Sequence, residues 1–512
     1  MTLRYIFLTF LLFYGVHCFA QQFIRVGAEE NLHVQPQFGI LLAGGNQDND
    51  NGMLWLAQRA NGGDVVVLRA SGGDLYNSYI LSELGAEINS VTTIIITSSE
   101  QANNPEVCQA VDQAEMVFIA GGNQWNYYNH WKGTCLQEAL NRHISEKSAP
   151  IGGTSAGLAI LGEVLFTAQN GLLWTEEALS NPFHSRVRLS KDFLHIPFLE
   201  NVVTDSHYNA IYDDNNNRHG RHTAFLARMI NDWQMTAKGI GVNEYTAVAI
   251  DEQGIARVFG HPSYQDYAWF LLANSVPETV EQGQALHWVN NENALSVYRV
   301  RGNFQGSNTF DLSNWQSAQN GEWFRWYVEN GELIQQPAGY IHVMFNVLDS
   351  NTQQPLTDAI IRMNGLRSLK TNTQGEALFA NALPEKPINL TVIKSGYHPV
   401  QLQIAPTEDY QIVEVGLEPI SSSYETVTLS NHHTIYPNPA SKFFWVKPAE
   451  GSVISVYSLY DLSGREILRG IHQQKGGFTI DISALTQGVY ILKLTDQNNQ
   501  SMPMKVVLKN DE

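Results

Sequence analysis

The chemistry in this chain gathers around a serine in a run of small residues. Gly153-Thr154-Ser155-Ala156-Gly157 is a G-x-S-x-G pattern between an apolar run and a helical one, where a serine can sit on a sharp strand-to-helix turn. A nucleophilic serine needs a base in reach and a third group to orient that base. Downstream, "VVTDSHYN" (202–209) is a β-branched strand ending in Asp205-Ser206-His207, and "KGIGVNEYTAVAID" (238–251) is a turn and strand carrying Glu244. Ser155, His207 and Glu244 are therefore the candidate nucleophile, base and acid. Other arrangements fit less well. An α/β-hydrolase esterase places its acid before the histidine and carries an HGGG-type motif that is absent here. A zinc site from His207, His219 and His222 has weak spacing, and no metal or other cofactor is expected. "NQDNDNG" (46–52) has its glycine one place late for a calcium loop, so it reads as a turn and helix cap.

These side chains need a scaffold with a common rim. Between about 36 and 165, unalternated apolar runs appear at 39–43, 64–68, 92–97, 116–120 and 149–153, with helix-length segments between most of them. That pattern implies α/β architecture: a mostly parallel, flavodoxin-like sheet covered by helices on both faces. Several strands end in small residues, "AGGN" (43–46), "RASGG" (69–73), "AGGNQ" (120–124) and "GGTSAG" (152–157). Ligands of open α/β sheets bind at that strand end. Strand-rich residues 240–335 complete this catalytic domain, expected over 21–335.

Two small all-β sandwiches are expected to follow, at 339–419 and 434–512, joined by a polar linker at 420–433. The first resembles the carboxypeptidase regulatory-like domain. In the second, "YPNP", "DLSGRE" and "LTQGVYILKL" occur in the order that resembles the C-terminal sorting domain of type IX secretion. That resemblance implies the secretion machinery as a partner and a destination outside the cell or on its surface. Residues 1–20 read as an export signal cut after Ala20. Cys108 and Cys135 lie on neighbouring predicted helices and could pair in an oxidising compartment or stay as buried thiols. The chain has 512 residues, 43% hydrophobic and 16% charged, with net charge −19 and no basic cluster. This excludes nucleic acid and anionic membrane as expected partners.

"AGGNQ", "GGTSAG", "DSHY" and "GIGVNEYTA" together resemble the cyanophycinase and dipeptidase E family of serine peptidases, over about 36–260. The resemblance implies a class I glutamine-amidotransferase-like fold, with Ser155 as nucleophile, His207 as base and Glu244 as acid. It places Gly121, Gly122, Asn123 and Gln124 beside the site, Asn123 standing where the family has Asp. The backbone N–H of Ala156 and one from Gly121–Gly122 would bind the oxyanion. It implies a small peptide substrate, and, since the family often dimerises, it leaves a homodimer open. The family's arginine-rich run after the histidine is altered: Ile211 and Asp213 stand near two expected arginines, Ser206 replaces a glutamine, and only Arg218 and Arg221 follow. Short aspartyl peptides or isopeptides are therefore the expected substrates rather than cyanophycin, with Arg218 or Arg221 holding a substrate carboxylate. An inactive binding protein on the same scaffold is the alternative.

Overall fold

A computed structural model describes residues 22–209, 217–420, 433–448, 453–461, 465–472, 476–497 and 501–508. The expected export signal, most of the 420–433 linker, Ile211, Asp213 and turn residues 462–464 lie outside them. Two compact units are present, Met1–Ile420 and Ser421–Glu512.

The first unit holds the α/β body. Its strands begin with β1 (Gln22–Gly27), β2 (Ile40–Ala43), β3 (Asp64–Arg69), β4 (Ser90–Ile95), β5 (Met116–Ile119) and β6 (Ile151–Thr154). They continue with β7 (Val164–Phe166), β8 (Leu189–Lys191), β9 (Val202–Asp205), β10 (Lys238–Val242), β11 (Ala247–Ile250) and β12 (Ile255–Phe259). Then come β13 (Tyr267–Ala273), β14 (Leu295–Arg301), β15 (Asn308–Asp311), β16 (Ala318–Gln319), β17 (Gly321–Glu329) and β18 (Glu332–Pro337).

One sheet runs β1-β4-β3-β5-β6-β2-β11-β12-β15-β16. The strands β4-β3-β5-β6-β2 are mutually parallel. Their side chains alternate between two cores: Val66 and Leu68 of β3 join Val107, Leu136 and Leu158 on one face, and Val65 and Val67 join Met53, Leu56 and Ile80 on the other. The expected mostly parallel sheet needs correction, because β1 and the β11-β12-β15-β16 wing are antiparallel. Helical crossovers force parallel pairing, whereas the short turn at 251–254 lets β12 fold straight back on β11.

A second sheet runs β18-β17-β14-β13-β10-β9-β7-β8. Ile240, Phe270 and Val300 reach the core under the first sheet, and Val203, Trp269 and Leu271 meet Phe225 and Leu226 of the helix His219–Trp233. β9 and β10 run parallel, with Asp205 beside Gly241. Their ends deliver the histidine and the glutamate to the rim that carries Ser155. A disulfide joins Cys108 to Cys135 and ties the helices Pro105–Gln113 and Cys135–Ser145 together.

The rest of this unit is a sandwich. Strands 376–382, 341–349 and 411–417 face strands 367–370, 360–363, 388–393 and 400–404 across one core. The second unit pairs a three-stranded and a four-stranded sheet around Phe444, Ile480 and Leu492.

Candidate active site

Ser155 follows β6 directly and opens the short helix Ala156–Ala159 with φ 53° and ψ −111°. Such a backbone is costly for a residue with a Cβ and is held by its surroundings. Its N–H donates to the Ala43 carbonyl at 3.1 Å. Glycines on either side make the turn feasible: a Cβ on Gly153 would lie 2.5 Å from the Gly157 carbonyl carbon, and one on Gly157 2.1 Å from the Ile119 oxygen.

His207 comes two residues after β9, also at positive φ (45°), with its N–H donating to the Gly44 carbonyl at 2.8 Å. Its Nε2 stands 2.7 Å from Ser155 Oγ, and its Nδ1 2.7 Å from Glu244 Oε1. With Nδ1–H donating to the carboxylate, Nε2 is left to accept the serine hydroxyl proton. The structure thus brings the three candidates into one hydrogen-bonded chain, across two sheets and 89 residues of sequence.

Burial alone would raise the Glu244 carboxyl. Hydrogen bonds from His207 and Asn46, with the nearby charges of His207 and Arg218, outweigh it and hold the group below the usual carboxylate range. Asn46 Nδ2 donates to Glu244 Oε2 at 3.2 Å and to the Tyr245 hydroxyl at 2.7 Å, while Asn209 Oδ1 accepts the Glu244 N–H at 2.8 Å. Sequence reasoning missed Asn46 and Gly45. Gly45 sits at φ +99°, where a Cβ would lie 2.5 Å from the His207 ring and 3.1 Å from Ser155 Cβ. Only the "AGGN" strand end hinted at either.

Gly121 passes beside the serine, its absent Cβ 3.5 Å from Ser155 Cβ, and the Tyr127 hydroxyl donates to the Ala120 carbonyl at 2.8 Å and to that of Gly121 at 3.1 Å. The side chains of Asn123 and Gln124 hold this loop. Asn123 Oδ1 caps the helix Gln124–Trp131 through the Trp125 N–H, and Gln124 Nε2 donates to the Phe166 carbonyl.

Arg218 and Arg221 are not available to a substrate, against the sequence expectation. Both are buried, and Arg221 makes a bidentate pair with Asp205 at 2.6 and 2.9 Å. Arg218 donates to Asp205 at 3.4 Å and to the Ser206 carbonyl at 2.7 Å. Burial would raise the Asp205 carboxyl, but Arg221 and Arg218 hold it low. The reason is tertiary: the helix His219–Trp233 packs on the second sheet and turns its first turn inward. His222 is committed as well, with Nε2 on the Val203 carbonyl and Nδ1 accepting from the Tyr208 hydroxyl, both at 3.1 Å. His219 stacks on Trp326. Burial pulls the pKa of His219 down to about 3 and that of His222 to about 4. The "NQDNDNG" segment forms a helix cap, Asn49 Oδ1 accepting from the Gly52 N–H.

Two grooves adjoin the acid end of the site. One of about 620 Å³ is lined by residues including Asp48, Asn209, Tyr245, His261 and Tyr264. The other, of about 330 Å³, is lined by Asn46, Asp48, Asp50, Leu75, Tyr76 and Tyr79. Among the described residues neither lining contains lysine or arginine.

Residues 77–258, which include Ser155, His207 and Glu244, match the model of Peptidase family S51, and residues 434–509 match that of the secretion system C-terminal sorting domain. The chain is similar to a cyanophycinase from Synechococcus elongatus, 28% identical over 277 residues that cover 51% of this chain and 76% of that protein. It is also similar to one from Trichormus variabilis, 26% identical over 184 residues, 36% of this chain and 54% of that protein. A putative peptidase E protein from Listeria monocytogenes aligns over 44% of this chain and 99% of that one at 14% identity, with a TM-score of 0.29, too low to carry structural weight. These similarities support a peptidase-type hydrolase, and the sorting domain directs it to the cell surface or the extracellular space by type IX secretion.

Proposed function

We propose that the chain is a secreted serine peptidase that hydrolyses short aspartyl peptides or isopeptides through Ser155, His207 and Glu244. The single observation that carries this reading is the 2.7 Å and 2.7 Å hydrogen-bonded chain ending on a serine in a strained turn. In the first half-reaction Ser155 Oγ attacks the amide carbonyl carbon while His207 Nε2 takes its proton. Glu244 holds the ring and stabilises the imidazolium. Ala156 is the first residue of its helix, so its N–H has no acceptor within that helix. Together with an N–H of Gly121 or Gly122 it faces the developing oxyanion, a role worth about 10²–10³ in rate per donor. The imidazolium then protonates the leaving amine. In the second half-reaction His207 activates a water that attacks the acyl-enzyme and frees Ser155.

The binding of a substrate carboxylate must come from groups other than Arg218 and Arg221, which Asp205 occupies. The two adjoining grooves instead offer the exposed Asp50 and tyrosines, surfaces suited to an amino group. The experiment is a comparison of β-aspartyl-arginine, α-aspartyl dipeptides, plain dipeptides and cyanophycin at equal concentration of cleavable bonds, beside Ser155→Ala. Turnover of an aspartyl dipeptide that Ser155→Ala abolishes is the expected result. Cyanophycin preferred tenfold or more, or no turnover of any of them, overturns the substrate assignment.

A further inference from the structure

The sandwich meets the α/β body at a buried cation that pairs with no carboxylate among the described residues. Arg367, on the sandwich strand Arg367–Lys370, is 4% exposed. Its hydrogen-bond partners are neutral amides: Nη1 donates to Asn274 Oδ1 of the body at 3.3 Å, and Nη2 to Asn381 Oδ1 of the sandwich at 3.0 Å. The guanidinium lies 4.8 Å from the Phe379 ring centroid. Burial pulls its pKa down to about 10, with only Tyr340 opposing. The Glu292 carboxylate, between two residues of the same cavity wall, is committed to Arg325 at 2.5 Å and Lys386 at 3.8 Å. A charge removed from water needs a partner of opposite sign, and amide dipoles replace only part of its hydration.

Asn381 supplies a second, independent sign. It is wholly buried (0% exposed). A guanidinium can only donate, so Asn381 must turn Oδ1 toward it and Nδ2 away. That Nδ2 has no hydrogen-bond acceptor among the described residues. Arg367 and Asn381 both line a cavity of about 30 Å³, whose wall also includes Asn274, Asn293, Asn364 and Lys386 and, among the described residues, no carboxylate. A void of this size holds one or two waters, and a halide ion is close to a water molecule in size. Water would leave the charge uncompensated.

We propose that this cavity is a binding site for a halide-sized monovalent anion, chloride in the medium an exported protein meets, held by Arg367 and the Asn381 amide. The anion ties the sandwich to the body. Nothing in it touches the serine site, so it stands apart from the proposed peptidase function.

Crystals of the full chain grown with bromide in place of chloride should show an anomalous peak in the cavity lined by Arg367 and Asn381. In parallel, thermal unfolding is followed at fixed ionic strength while sodium bromide replaces sodium methanesulfonate, whose anion is several times the volume of a halide. The midpoint of the first unit should climb by about 2–4 °C to saturation, as for any ligand that binds only the folded state. Arg367→Gln should abolish the climb. Should that variant fail to fold, Asn381→Asp keeps the test open, because its carboxylate supplies the missing charge. It should lose the bromide peak and unfold independently of halide, at or above the midpoint of the parent chain in saturating bromide. A water in place of the bromide peak, or a halide dependence unchanged in Asn381→Asp, overturns the site.

Discussion

Two charged clusters grow from the same few residues at the end of β9, and they end in different conditions. His207 and Glu244 stand about a quarter exposed, at 22% and 24%, and connect to a serine. Asp205, Arg221 and Arg218 are buried and hold one another and the backbone. Both contain a carboxylate held below its usual range, so a lowered pKa does not separate them. Access and a reactive end do. The first cluster is placed to pass a proton to a bound molecule, and the second braces the fold beside it.

The sharpest way to break this contrast is to neutralise one carboxylate in each cluster. Glu244→Gln should lower kcat by about 10²–10⁴, since the ring loses its anionic partner, with the thermal midpoint unchanged. Asp205→Asn should do the reverse. It leaves two buried guanidinium groups short of a partner, costs about 3–5 kcal/mol of stability, and keeps kcat in whatever fraction stays folded. Calorimetry and kinetics on both variants check this pair. A catalytic collapse in Asp205→Asn with normal stability would reverse the two roles.

Acid separates the regions next. His219 and His222 are folded in their neutral forms, with pKa values pulled from about 6.5 in the unfolded chain to about 3 and about 4. Their contribution to stability is complete above pH 6.5 and is lost as the pH falls from there toward the folded values. Unfolding followed against pH should show the α/β body weakening below about pH 6.5, and His222→Gln should flatten that slope.

The smallest expected effect is at Asn46. Asn46→Ala removes the hydrogen bond to Glu244 Oε2, so the carboxyl rises toward its usual value. The active carboxylate form is then lost at higher pH as acid is added. The acid limb of kcat/KM should move up, with kcat falling by less than about tenfold, the scale of one hydrogen bond. A pH–rate profile reads both changes.

What the sequence showed of this site follows from where its information lies. Ser155, His207 and Glu244 each sit at a strand end with a local small-residue or turn signal, and they come together in space. Arg218 and Arg221 misled because nothing local reveals that their helix folds its first turn against Asp205. Asn46 had no more than the "AGGN" strand end to mark it, because its partner is 198 residues away. The parallel strands were legible in their unbroken Ile and Val runs. The antiparallel wing was not, since β2 pairs with β11 over some 200 residues and no local pattern states that register. Cys108 and Cys135 offered two readings, and the packing of their helices selects the disulfide.

The account rests on Ser155 being the residue that reacts, and a fluorophosphonate probe followed by mass spectrometry of the labelled peptides tests that directly. The expected result is one label, on Ser155, formed far more slowly in Glu244→Gln and absent in Ser155→Ala together with hydrolysis. A label on another residue, or hydrolysis undiminished in Ser155→Ala, contradicts it.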